Sequence, residues 1–311
     1  MERRQFLKNT LLSGAAVGLG LSSLTDIMAN PEDANDYKLT ILHTNDMHSR
    51  IEPFGKNNAQ WHGLGGMSRR ANLIEKIRKV EKNVLLLDAG DIFQGTPYFN
   101  FFGGELEYKL MSEMGYDAAT MGNHDFDLGL EGFLKQQPHA KFQMLVANYD
   151  FSKTILKDVT KPYTIFQKGK FKVGVFGIGI DVKGLVPKKL YGDMQHSNPI
   201  DTAKEMVQEL KAKQCNMIIC LSHLGYKYED PKLISDIVLA NSVNGIDLII
   251  GGHTHTLLEK PMVALTPEGS EVIVNQVGWA GICVGRIDVS LDKKMNKSMA
   301  LHHGILVDNK V

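Results

Sequence analysis

The sequence has no excess charge of either sign, since 35 lysines and arginines are matched by 35 aspartates and glutamates. A neutral chain projects no long-range field toward DNA, RNA or an anionic lipid surface, which argues against nucleic-acid polymers as partners. Cysteine is scarce as well, with 3 in 311 residues. Cys215, Cys220 and Cys283 cannot all pair with one another, and the first two lie too close along one extended apolar run to bridge easily. They are expected to be small buried core residues. Internal repeats and low-complexity linkers are also missing. Beyond the N-terminal region no segment is apolar over the roughly 20 residues needed to cross a bilayer, so the mature protein is expected to be soluble, with no membrane span. What is present is a hydrophobic content of 43%, ample for a folded core.

The first thirty residues stand apart. Met1 to Lys8 is basic and carries the pair Arg3-Arg4; a mild apolar run from Leu11 to Leu24, diluted with glycine and serine, leads to the small residue Ala29 at a candidate cleavage point. Residues 1–30 resemble a twin-arginine-type signal peptide, which implies an exported protein, periplasmic or extracellular.

Past Pro31 the chain alternates strand and helix patterns. Lys38 to His43, Val84 to Leu87, Phe171 to Ile178, Met217 to Leu221 and Ile246 to Ile250 are apolar runs of strand length. Strands from Glu271 to Val277 and from Cys283 to Leu291 are expected to close the chain. Helices are predicted over Met67 to Lys82 and Glu105 to Met114, where apolar residues recur every three or four positions, and the second stops at Gly115. Two more are expected, one opening at Pro199 and one from about Pro231 to Leu239. This order implies an α/β fold of parallel or mixed sheets covered by helices, in which ligands gather beyond the carboxyl ends of strands. Pro53 to Asn58 reads as a surface loop near such a site.

Five polar clusters sit at those ends: Asp46-x-His48, Gly90-Asp91, Gly122-Asn123-His124-Asp125, His223 after Ser222, and Gly252-His253-Thr254-His255. Each residue alone has an ordinary explanation. A single histidine at a strand end is most often a hydrogen-bonded structural residue, Asp91 alone could cap a helix, and Gly122 and Gly252 alone could mark turns. Coincidence at five strand ends is far less probable than one shared site. Two divalent cations about 3.5–4 Å apart need a bridging carboxylate, for which Asp91 is the natural choice, and further oxygen and nitrogen ligands. Imidazole mixed with carboxylate and amide suits Zn, Mn, Fe or Co and does not distinguish among them. The remaining histidines lack this context: His43 is expected to face the core or a neighbouring strand, and His62, His139, His196, His302 and His303 read as surface or loop residues.

The segments Ile41 to Arg50, Gly90-Asp91, Gly115 to Asp127, Ser222 to Gly225 and Gly251 to Thr256 together resemble the calcineurin-like metallophosphoesterase domain of the 5′-nucleotidase family, over about residues 37–308. The resemblance implies a β-sandwich of mixed sheets flanked by helices, with the metals at the carboxyl ends of strands. It implies that Asp46, His48, Asp91 and His255 bind one ion, and Asp91, Asn123, His223 and His253 a second. It assigns catalysis to His124, oriented by Asp127, with a weaker claim for Asp125. The implied reaction is attack of metal-bound hydroxide on phosphorus in a nucleotide or related phosphate ester. The 5′-nucleotidases that this domain resembles carry a second, nucleotide-gripping domain, and the sequence ends at Val311 before one could begin. This departure raises two expectations, a less selective phosphoesterase or a separate nucleotide-binding polypeptide that supplies the missing half. Two other readings are a hydrolase of a different ester, such as a thiosulfonate, on the same site, and a non-catalytic metal-binding subunit; the retained His124 and Asp127 count against the latter.

Overall fold

Alternation along the strands decides the layering. The computed structural model describes residues 37–310, and the leader expected over residues 1–30 lies outside the described residues. In chain order the strands are β1 (Lys38–Thr44), β2 (Val84–Asp88), β3 (Ala118–Thr120), β4 (Gln143–Leu145), β5 (Tyr149–Asp150), β6 (Tyr163–Lys168), β7 (Phe171–Gly179) and β8 (Gln195–His196). They continue as β9 (Met217–His223), β10 (Leu248–Gly251), β11 (Met262–Leu265), β12 (Glu271–Asn275), β13 (Cys283–Leu291), β14 (Lys297–Leu301) and β15 (Ile305–Leu306). One mixed sheet has the order β14-β13-β1-β2-β3-β4, with β15 on β13, and a second has the order β11-β12-β10-β9-β7-β6. β5 and β8 form a separate short pair.

Successive side chains on a strand point to opposite faces. Leu39 and Ile41 of β1 and Leu85 and Leu87 of β2 therefore share one face, and they pack with Val173, Val175, Ile219, Leu221, Leu248 and Ile250 of the second sheet. This contact makes the two sheets a sandwich. On the outer face of the first sheet, Leu42 and Leu86 meet the helices α1 (Met67–Val80), α2 (Pro97–Phe102), α3 (Glu105–Glu113) and α4 (Gly129–Gln136) through Ile74, Phe99, Met111 and Phe133. Beyond a short α5 (Lys188–Tyr191), the outer face of the second sheet is covered by α6 (Pro199–Ala212) and α7 (Asp236–Ala240) through Ala203, Val207, Leu210 and Leu239. The expected α/β sandwich of mixed sheets flanked by helices is thus the observed architecture. Each fully buried leucine or isoleucine contributes about 1.5–3 kcal/mol, which makes this core the rigid base for what lies above it.

Local chemistry sets the helix ends. The Asn198 side chain accepts the N–H groups of Ile200 and Asp201 and Pro199 takes the first position, so α6 starts where expected. Gly115, with φ 71°, closes the α3 turn. The helix expected from Pro231 begins only at Asp236, because Ser235 is extended and caps Val238 while the residues before it form turns. Nor does β13 close the chain, since β14 and β15 pair onto it. Cys220 and Cys283 are buried as expected, whereas Cys215 is only half-buried. His43 faces the sandwich interior, 2.8 Å from the Asn275 amide on β12. Its register partner on β13 is Gly285, where a Cβ would come within 2.0 Å of the imidazole. Among the described residues no helix is long and apolar enough to cross a membrane.

Candidate metal centre

β1, β2, β3 and β4 run parallel, as do β7, β9, β10 and β12, so both sheets present strand carboxyl ends to loops that can converge. The first sheet delivers Asp46 and His48 after β1, Asp91 after β2 and Asn123 after β3. From the second come His223 at the end of β9 and, after β10, His253 and His255. Five of these seven residues have left-handed backbones: Asp46 (φ 50°), His48 (48°), Asp91 (53°), His253 (73°) and His255 (52°). That conformation costs an L-residue about 1–2 kcal/mol, so the loops store strain that the packed strands below must hold. Asp46 and His48 share a side because the chain has left the strand at Thr44; Met47 between them turns into the helix-covered core.

The seven side chains meet. Ligand atoms of Asp46, His48 and His255 all lie within 4.8 Å of one another, as do those of Asp91, His223 and His253. Asp91, of the second group, also faces the first: its Oδ2 is 3.1 Å from His223 Nε2 and 3.9 Å from His48 Nε2. Asn123 Oδ1 is 2.8 Å from His253 Nδ1. The amide of His124 donates to Asp91 Oδ1 at 2.8 Å, and its ring Nδ1 lies 2.9 Å from Asp127 Oδ2.

Several observations fit these residues to cations. His48 and His223 direct Nδ1 at the carbonyls of Gln94 and Ala89, at 3.0 and 2.6 Å, which leaves each Nε2 pointing into the centre. The His223 Nε2 is fully buried with no hydrogen-bond partner. A Cβ on Gly122 would fall 2.1 Å from Asp91 Oδ1 and 2.6 Å from the His223 ring, so glycine there keeps the space open. The electrostatics agree. Burial, then His223, lowers His253 to about 4, and burial lowers His48, a direction that favours the neutral imidazole able to donate a lone pair. Burial would raise Asp91 and lower His223, but their mutual attraction outweighs it: Asp91 falls below the usual carboxylate range and His223 rises to about 10. The centre therefore draws positive charge to the point between them.

Other residues hold this geometry in roles that the sequence reading did not give them. Asp125 accepts the amides of Asp91 (3.0 Å), Ile92 (3.1 Å) and Gly122 (2.8 Å), fixing the two ligand loops to each other. Asn45 donates to Asp46 Oδ2 and to the Gly278 carbonyl, both at 2.6 Å, and accepts the Val277 amide at 3.0 Å, which clips the two sheets together beside the site. The Trp279 indole lies parallel to the His255 ring, 5.4 Å between centroids and 1° between planes. Phe54, in the loop expected near the site, packs 5.7 Å from Trp279. The only available signal for Trp279 was its rarity, one of 2 tryptophans, set after a glycine near the last ligand cluster. His62 and His303 are exposed, His139 and His302 half-buried, and His196 lines a cavity described below, so none of these joins the centre.

The profile of the calcineurin-like phosphoesterase family matches residues 39–257, which contain the seven converging side chains together with His124 and Asp127. The chain belongs to that family. It is similar to the snake venom 5′-nucleotidase of Gloydius brevicauda, 33% identical over 299 residues that cover 89% of this chain and 49% of the relative. Among solved structures it resembles a 5′-nucleotidase precursor from Thermus thermophilus, with 33% identity, a TM-score of 0.79, and coverage of 88% of this chain and 55% of that one. The NAD nucleotidase of Haemophilus influenzae is also similar, at 32% identity and a TM-score of 0.73 over 85% of this chain and 49% of that one. The chain spans about half the length of these relatives.

Proposed function

We propose that the protein is a metal-dependent phosphohydrolase acting on nucleotides or closely related phosphate esters. The convergence of seven side chains with nitrogen and oxygen donors, Asp91 among them, from both sheets, carries this reading, and the similarity to 5′-nucleotidases supports it. Asp46, His48, Asp91 and His255 would hold one divalent cation, and Asp91, Asn123, His223 and His253 a second. Bound there, the two cations supply Lewis acidity at the phosphoryl oxygens and lower the pKa of a water.

The remaining chemistry falls to His124 and Asp127. The Asp127 carboxylate holds His124 Nδ1, so Nε2 is the ring atom left for the substrate. The His124 Nδ1–H donates to Asp127, and this bond raises His124 above its ordinary pKa, which favours the protonated ring that could stabilise charge on the phosphoryl group or protonate the departing alkoxide. The donor set suits Zn, Mn, Fe or Co. The paired arginines and apolar run of the first thirty residues support export.

The test is chelation followed by reconstitution with Mn or Zn, with phosphate release from AMP and p-nitrophenyl phosphate and bound metal measured together. Metal-dependent release at two equivalents per chain is expected. A fully loaded protein that releases phosphate from neither ester would overturn the reading.

A further inference from the structure

We propose that the cavity between residues 180–187 and 224–235 receives the nucleoside portion of the substrate, so that this chain carries its own recognition site beside the metals. The inference rests on the phosphohydrolase reading. The cavity, about 610 Å³, lies beyond the carboxyl ends of β7 and β9 and includes His253, one of the seven side chains of the centre. Its size falls within the range of about 300–1,000 Å³ of small-molecule sites. Two cavities of comparable size elsewhere, one lined by Met67, Leu110 and Met114 and one by Tyr98, Phe101 and Phe102, include none of the seven.

The lining decides the chemistry. Ile180, Leu185, Leu224 and Leu233 make much of the wall, and Leu185 and Leu233 are 51% and 50% exposed. Two half-exposed leucines facing one cavity that ends at a metal ligand form a surface a flat heteroaromatic ring would cover. Asp181 lines the same cavity, with Oδ1 held by the Lys183 amide at 3.0 Å. A carboxylate only accepts hydrogen bonds, which matches the vicinal hydroxyls of a ribose. Lys183 and Lys232 also line it, giving two ammonium groups against one carboxylate and a wall suited to an anionic ester. With the phosphoryl group at the cations beside His253, the sugar and base of a mononucleotide extend into this space.

The experiment compares AMP with ribose 5-phosphate, which lacks the base, in the metal-loaded wild type, the Leu185→Ala/Leu233→Ala variant and Asp181→Asn. Binding of adenosine is followed separately by saturation-transfer NMR. The double variant should lose about tenfold or more of the kcat/KM preference for AMP over ribose 5-phosphate and lose the adenosine signal. Asp181→Asn should weaken adenosine binding while retaining the base preference. Because both leucines are half-exposed, their truncation leaves the core intact, and circular dichroism with metal analysis checks this. An unchanged preference, or adenosine binding equal in wild type and double variant, overturns the proposal. If the wild type releases phosphate from neither ester, the phosphohydrolase reading fails, while the adenosine measurement still decides whether the cavity binds a nucleoside.

Discussion

Two histidines on parallel strand systems, His43 inside the sandwich and His223 at its upper edge, are equally shut off from solvent, yet their pKa values move in opposite directions. The His43 ring has the Asn275 amide as its hydrogen-bond partner, and burial drives it down to about 3. His223 suffers the same desolvation but faces Asp91 and Asp46, and it rises to about 10. The lesson is that burial by itself silences an imidazole, whereas burial beside carboxylates makes a place for positive charge. The sandwich interior and the centre above it are thus two environments built from the same residue type.

The largest effect that would break the comparison comes from removing the charge. Asp91→Asn should lower kcat/KM by at least about 10³-fold and reduce metal content, because the carboxylate that faces both groups of side chains is lost; a variant with two metals and normal turnover would refute this role. Next is His124→Ala, expected to cost about 10²–10⁴ in kcat with both metals retained, as read by elemental analysis beside the rate. Within the sandwich, the wild type should lose stability as the pH falls. The unfolded chain protonates His43 near 6.5 but the folded chain only near 3, so between those values folding releases a proton. The interaction is fully present above the unfolded value and is lost at about 1.4 kcal/mol per pH unit below it. Denaturant titrations from pH 7 to pH 4 should show His43→Gln with a slope shallower by that amount, and parallel slopes would exclude the role. The smallest effect sharpens the centre alone: Trp279→Ala should weaken binding of one metal equivalent about tenfold, with Trp279→Phe recovering most of it, as measured by chelator competition.

Much of the centre was legible in the sequence because each ligand cluster is contiguous and follows an apolar strand. Asp46-x-His48 and His253-x-His255 announce themselves within three residues. Asp125 was read only as a neighbour of the catalytic pair, since its work is to accept amides more than thirty positions away. The misplaced start of α7 has a similar cause: Pro231 looked like a helix opening, but the cap is Ser235. Half-exposed β6, with no continuous apolar run, gave little periodic signal.

The sequence by itself determined the elements, the alternation that sorts side chains between the sheets, and the residue types able to bind cations, because these depend on neighbours a few positions apart. Only the tertiary structure decided which of them share one centre, that Asp91 of one triad also faces the other, and that buried His223 lies beside carboxylates where buried His43 does not. Those properties depend on distances between residues far apart in the chain and on the dielectric around them, and neither exists until the two sheets close on each other.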